Sequence, residues 1–162
     1  MTTGETQARA GAGLDACRVD GHLPLVALLA GAHDAFALDF DARLAASGLP
    51  GITLTLSRTI LRHLSDGPTR ASHLVEPCGM TKQAVSQQIA QLQRGGYIES
   101  CPDPADQRAR LLVLTPRGEQ ARATVRRLFA EIEADWAREL GVAEVAALRR
   151  VLEAAVDRPP GA

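Results

Sequence analysis

These 162 residues predict a mainly α-helical chain with one short β-hairpin. Three observations carry that reading. Apolar residues recur at three- and four-residue steps early (Leu25, Leu28, Leu29, Ala32, Phe36, Phe40, Leu44) and late (Ala121, Val125, Leu128, Ile132, Trp136, Leu140). Ala and Leu dominate, with few β-branched runs, which favours helices. Only the segment between Gly96 and Thr115 breaks the rhythm, with two short apolar runs about a charged tip.

Residues 1–20 are rich in Gly, Ala and Thr without apolar periodicity and read as a tail. Pro24 suits the first turn of a helix that Ser47-Gly48-Leu49-Pro50-Gly51 stops. Thr53 can cap a second helix holding Leu56, Ile60, Leu61 and Leu64, ended by Asp66-Gly67-Pro68. A short helix over Ala71–Glu76 is broken at Pro77 and Gly79, and another runs from Thr81 to Gly95-Gly96. Strands Tyr97–Cys101 and Leu111–Leu114 then flank a tip too long for a two-residue turn. Thr115-Pro116 read as N-cap and first position of a long helix that Gly141 breaks. A last helix carries Val145, Leu148, Leu152 and Val156, and residues 158–162 form a C-terminal tail.

A chain of this length with 46% hydrophobic residues suits one domain with a core, and its five aromatics make that core largely aliphatic. No apolar run is long enough to span a bilayer and no signal peptide is visible, so the expectation is a cytoplasmic protein without a membrane partner. The three cysteines (Cys17, Cys78, Cys101) form no Cys-x-x-Cys pair, and the four histidines do not join them at metal-ligand spacing. Neither a disulfide framework nor a metal site is expected, nor any cofactor. No nucleophile is matched with a base, and Gly95-Gly96 ends a helix rather than opening one, so it does not fit a phosphate loop. An enzyme is therefore not expected.

The net charge of −1 hides an asymmetry. Residues 1–50 carry 3 basic and 6 acidic side chains and residues 128–162 carry 4 and 7, whereas residues 81–127 carry 8 and 4. A basic middle between acidic ends suits a polyanion met by the middle. The wheel of the Thr81 helix puts Val85, Ile89 and Leu92 on one side. Gln83, Gln87, Ala90 and Arg94 lie opposite, flanked by Lys82 and Ser86. No acidic side chain interrupts that helix, and amides, a hydroxyl and an ammonium are the groups that read base edges in a major groove. A solvated amphipathic surface would show the same wheel. The preceding helix and the three-residue break Cys78-Gly79-Met80 tip the balance, because that is helix-turn-helix spacing. Thr69, Arg70 and Ser72 at the start of the first helix are placed to meet phosphate.

At the hairpin tip, Pro102 and Pro104 stiffen the loop. Asp106 is expected to orient the Arg108 guanidinium, which suits a narrow minor groove, with Arg110 on the same side of the strand for phosphate. An exposed ion pair of little consequence is the plainer reading of the same residues. The fold class that emerges is mainly α: a winged helix-turn-helix with a two-stranded wing and long N- and C-terminal helices.

The string Asp103-Pro104-Ala105-Asp106-Gln107-Arg108-Ala109-Arg110-Leu111, followed by Leu114-Thr115-Pro116-Arg117-Gly118, resembles the wing of the MarR family of winged-helix transcriptional regulators. Thr81-Lys82-Gln83-Ala84-Val85-Ser86 and Gly96-Tyr97-Ile98-Glu99 agree with it, and the order of elements matches over residues 23–157. The resemblance implies a domain over about 21–157, with the winged helix-turn-helix at about 53–115 and dimerisation helices at about 23–46 and 116–157. It implies a homodimer on a pseudo-palindromic double-stranded operator, acting as a repressor relieved by ligand or oxidant. The DNA-contacting set would be Arg70, Ser72, Thr81, Lys82, Gln83, Ser86, Gln87, Asp106, Arg108 and Arg110. Two departures lower the wing's charge: Gln107 stands where the family often has arginine, and Ser100-Cys101 replaces a commonly basic step.

The family often binds aromatic or phenolic effectors between its first two helices and the long helix. Here His33, Phe36, Phe40, Arg58, Arg62 and His63 are the candidates. Some members sense peroxide through a cysteine near the first helix; Cys17 is the candidate, although no tyrosine lies near it and only Arg18 adjoins it as a cation. Cys78 and Cys101 read as small buried hydrophobes and Trp136 as core. The alternative functions are an oxidant-sensing regulator and a winged-helix protein-interaction module without DNA binding. The second predicts a neutral or acidic reading face, against Lys82, Gln83, Ser86, Gln87 and Arg108.

Overall fold

Helix α1 (Leu25–Ala45) follows Pro24, whose carbonyl accepts the Ala27 N–H at 2.9 Å. The computed structural model describes residues 21–64 and 67–158, so both expected tails and Cys17 fall outside, save Arg158. Contacts divide the described chain between Asp39 and Phe40 into two compact units. In the first, the apolar side chains of α1 are largely exposed, among them Leu25, Val26, Leu28, Leu29 and Leu38.

The second unit starts with Phe40 and Leu44, both buried. Thr53 caps α2 (Leu54–Leu56), its hydroxyl accepting the Leu56 N–H at 3.2 Å, as expected from the sequence. The helix then loosens into a π-helical turn over Ser57–Leu61, which no sequence rule anticipated. Strand β1 (Thr69–Arg70) and a 3-10 turn (Ala71–Leu74) follow. The first helix of the motif is thus shorter than the Ala71–Glu76 expectation and its break longer. Pro77 has no N–H for the His73 carbonyl, and the chain closes instead through Cys78 N–H to Leu74 and Gly79 N–H to Glu76.

Helix α3 (Lys82–Arg94) is capped by Thr81, whose hydroxyl accepts the Ala84 N–H at 3.2 Å. Strands β2 (Ile98–Asp103) and β3 (Asp106–Leu114) pair antiparallel, and β1 joins β3 on its other side, giving the order β1-β3-β2. The two-stranded wing is therefore part of a three-stranded sheet. Its tip corrects another expectation: Asp103 pairs with Asp106, leaving Pro104-Ala105 as a two-residue turn. Asp103 makes this possible, since its Oδ1 accepts the Ala105 N–H at 2.8 Å and Pro104 arrives with φ preset for a turn. Pro102 is tolerated because β2 is an edge strand, and a bulge lies at Pro102/Asp103.

Thr115 caps α4 (Pro116–Leu140), accepting the Gly118 N–H at 3.0 Å. Ala121, Val125, Leu128 and Ile132 bury the first half of its seam, while Trp136 is only half-buried and Leu140 exposed, so Trp136 is not the core residue expected. Gly141, at φ 106°, turns the chain into α5 (Val142–Val156), which buries no residue fully. Among the described residues no helix is long and apolar enough to cross a membrane.

Candidate nucleic-acid interface

Helix α3 turns Val85, Ile89 and Leu92 into the core and leaves Lys82, Gln83, Ser86 and Gln87 exposed. The inward anchors fix which way the outward side chains point. Gln91 Nε2 donates to the Gly51 carbonyl at 2.7 Å, tying the helix to the turn before α2. The Thr59 hydroxyl lies 2.7 Å from both the Thr55 carbonyl and Gln88 Oε1 and shares its one proton between them.

Tyr97 locks the hairpin to the rest of the unit. Its hydroxyl donates to the Pro50 carbonyl at 2.9 Å, and its own carbonyl accepts the Thr115 N–H at 3.0 Å. The Arg117 guanidinium lies 4.8 Å from the centre of its ring. The start of α4 presses so closely here that a Cβ on Gly118 would stand 1.9 Å from the Tyr97 oxygen.

The wing is held by a pair that sequence reasoning missed. Arg70 Nε donates to Asp103 Oδ2 at 2.8 Å, joining β1 to the end of β2. Asp103 is buried, at 6% exposure. The Ala105 N–H and the Arg70 guanidinium hold its carboxyl below the usual range, and that carboxylate raises Arg70 in turn. Arg70, expected at phosphate, is thus engaged within the protein. Asp106 accepts the backbone N–H of Arg108 at 3.1 Å rather than its guanidinium. The Arg108 guanidinium is exposed at the tip with no partner among the described residues. Arg110 lies along the wing, donating from Nε to the Ser100 hydroxyl at 2.9 Å, so Ser100 positions a cation where the sequence lacks one of its own. No local signal revealed Asp103 or Ser100, because their partners lie 33 and 10 residues away. Thr81 and Ser72 are exposed at the starts of their turns.

Of the expected effector residues, Arg58, Arg62 and His63 line one cavity of about 630 Å³, together with Arg122, Val125, Arg126 and Phe129. Phe40 is wholly buried, its ring 5.1 Å from that of Phe129. His33 and the half-buried Phe36 belong to the other unit, where His33 Nδ1 lies 3.3 Å from Asp34. Cys78 and Cys101 are half-buried rather than buried, and burial pushes the Cys78 thiol up, away from a reactive thiolate.

A polar helix seated beside an arginine-tipped hairpin, both on one helical scaffold, defines a winged helix-turn-helix protein. Residues 50–109 match the model of the MarR family. A probable transcriptional regulator from Pseudomonas aeruginosa superposes with a TM-score of 0.65 at 25% identity, over 82% of this chain and 96% of that one. A cysteine-to-serine mutant of MarR from E. coli, complexed with operator DNA, gives 0.68 at 20% identity, over 82% and 93%. The transcriptional repressor CouR bound to a 23-mer DNA duplex gives 0.70 at 23%, over 83% and 93%. Among curated proteins no sequence relative is found. The described chain thus has the winged-helix fold of these transcriptional regulators, and its residues 50–109 are similar to the MarR family.

Proposed function

We propose that the protein is a cytoplasmic, sequence-specific duplex-DNA-binding regulator: a homodimeric repressor of a pseudo-palindromic operator, released by a small effector. The observation that carries it is the acid-free exposed face of α3 (Lys82, Gln83, Ser86, Gln87) beside Arg108 at the wing tip, which has no partner among the described residues. Glutamine and lysine on such a helix address base edges, and arginine on a narrow wing suits a minor groove. The DNA complexes of mutant MarR and of CouR support the same use of the fold. Selection of genomic fragments on the purified protein, followed by sequencing, tests it. Enrichment of sites sharing an inverted repeat is expected, and enrichment no greater than bulk DNA overturns it.

Arg108→Ala should weaken operator binding on the order of 10- to 100-fold and blunt discrimination where the wing lies. Gln87→Ala should relax base preference while nonspecific affinity stays nearly intact. Equal loss on operator and random DNA, measured by anisotropy titration, would move Gln87 to a backbone-positioning role.

Dimerisation through the terminal helices is supported by apolar side chains that one chain leaves in water: Leu25 at 77% exposure, Val151 at 65% and Val156 at 83%. Exposed apolar side chains in such number are stable when another surface covers them. Val151→Asp should convert a sedimenting dimer to monomer and cost most of the operator affinity. A variant that stays dimeric would place the interface elsewhere.

Effector release is supported by the cavity of Arg58, Arg62 and His63. Its π-helical wall carries Thr59, whose hydroxyl reaches Gln88 on the reading helix at 2.7 Å. A ligand that shifts this segment acts on α3 through that contact.

A further inference from the structure

The cavity between the π-helical turn and α4 collects an unusual number of cations. Arg58 and Arg62 face it from one side and Arg122 and Arg126 from the other, with His63 next to Arg62 just past the turn. Each arginine pair is spaced four residues apart, so both members of a pair stand on the same helical face. Among the described residues no carboxylate lines the cavity. Glu119 takes Arg122, with Nε to Oε2 at 2.9 Å. Arg58, Arg62 and Arg126 have no hydrogen-bond or ion-pair partner among the described residues.

Exposed arginines are ordinarily just solvated. Here they surround a concavity of about 630 Å³, within the range of small-molecule sites, whose floor includes Leu61, Val125 and Phe129. Arg58, Arg62 and Arg126, gathered without counter-ions among the described residues, repel one another, and an anion seated among them relieves that repulsion. Guanidinium forks suit phosphate and carboxylate oxygens, while the apolar floor suits a ring or an aliphatic body. The π-turn places one extra residue into the wall that carries Arg58, and such turns frequently mark functional sites.

We propose that this cavity takes an effector bearing an apolar or aromatic body and at least two negative charges, an aryl phosphate or its equivalent, in preference to a neutral phenol or a monocarboxylate. The inference rests on the reading of the cavity as an effector site, and it names the charge class that the site selects. Arg58, Arg62 and Arg126 hold the anionic end, and Phe129 and Val125 meet the body.

The test is calorimetric titration of the full chain with phenyl phosphate, benzoate, phenol and inorganic phosphate at pH 8 and low salt. Phenyl phosphate should bind at least about tenfold tighter than any of the other three, the margin of a charge-assisted contact. Arg58→Gln combined with Arg126→Gln should remove at least about tenfold of that affinity and leave phenol unchanged. Arg126→Gln alone, checked for a native unfolding transition, covers the case of a double variant that misfolds. Equal affinities for phenyl phosphate and phenol, no binding of phenyl phosphate, or full affinity in the arginine variants would each overturn the inference. So would a loss of DNA affinity with phenyl phosphate binding intact, which would assign the cluster to backbone phosphates. If instead the protein holds no preferred duplex yet discriminates these four probes as stated, the regulator reading falls and the cavity's selectivity stands.

Discussion

Replacing Gly118 by alanine should lower the melting temperature by roughly 5–10 °C, by overpacking a site with no room for a methyl group. The direction is informative. Inside an ordinary helix the same change stabilises by about 1 kcal/mol, because alanine is the better helix former. Gly118 lies in the first turn of α4, and the added carbon would stand 1.9 Å from the Tyr97 carbonyl oxygen and 3.1 Å from Leu114 Cδ2. That oxygen cannot retreat easily. It accepts the Thr115 N–H at 3.0 Å, and the Tyr97 side chain is pinned by its bond to the Pro50 carbonyl at 2.9 Å. The helix must move off the sheet, and with it the Thr115 cap that receives the Gly118 N–H. Thermal unfolding followed by circular dichroism measures the change. An unchanged or raised midpoint would mean that the turn opens freely and that the wing is not clamped to α4 there.

Asp103→Asn should reduce specific operator affinity on the order of tenfold or more, even though it makes the protein more positive by one charge. Two accounts of the wing diverge on this variant. If wing contacts depend on net charge alone, removing an acid tightens DNA binding. If they depend on where the tip points, loss of the Arg70 tether loosens the turn and the Arg108 guanidinium with it. The geometry supports the second, since Asp103 receives Arg70 on one oxygen and the Ala105 N–H on the other. Random-sequence affinity should rise slightly as Arg70 is freed, so the ratio of specific to nonspecific binding is the quantity to measure. A ratio equal to that of the unaltered protein would reduce the pair to a surface contact.

The same pair sets a pH expectation. The Ala105 N–H and Arg70 hold the Asp103 carboxyl below its ordinary value, so its stabilising contribution is complete above the unfolded carboxylate range, near pH 4. It is lost as pH falls through the lower folded value. The wing should therefore stay fastened throughout neutral pH, and any titration of operator binding between about pH 6 and 8 must come from another group.

Much of this was legible from local chemistry. Thr53 and Thr115 cap the helices the sequence assigns them, because a hydroxyl reaching the amide three residues on is a short-range event; Thr81, read as the first residue of its helix, caps it in the same way. Val85, Ile89 and Leu92 face inward because helical periodicity leaves them one side to share. The acid-free outer face of α3 follows from the same wheel.

What was not legible involves partners distant in sequence. Asp106 was expected to orient Arg108. Asp103, which looks like one more charge at the tip, instead closes a two-residue turn and binds Arg70 from a strand no pattern announced. Arg58 and Arg62 stand near each other in any helix, yet their meeting with Arg126 depends on how the π-turn packs against α4. The amino-acid order thus dictated caps, periods and breaks, since each depends on contacts a few residues apart. Strand order, the wing's tether and the cationic cavity arose from packing between segments 30 to 70 residues apart, for which no local spacing carries a signal.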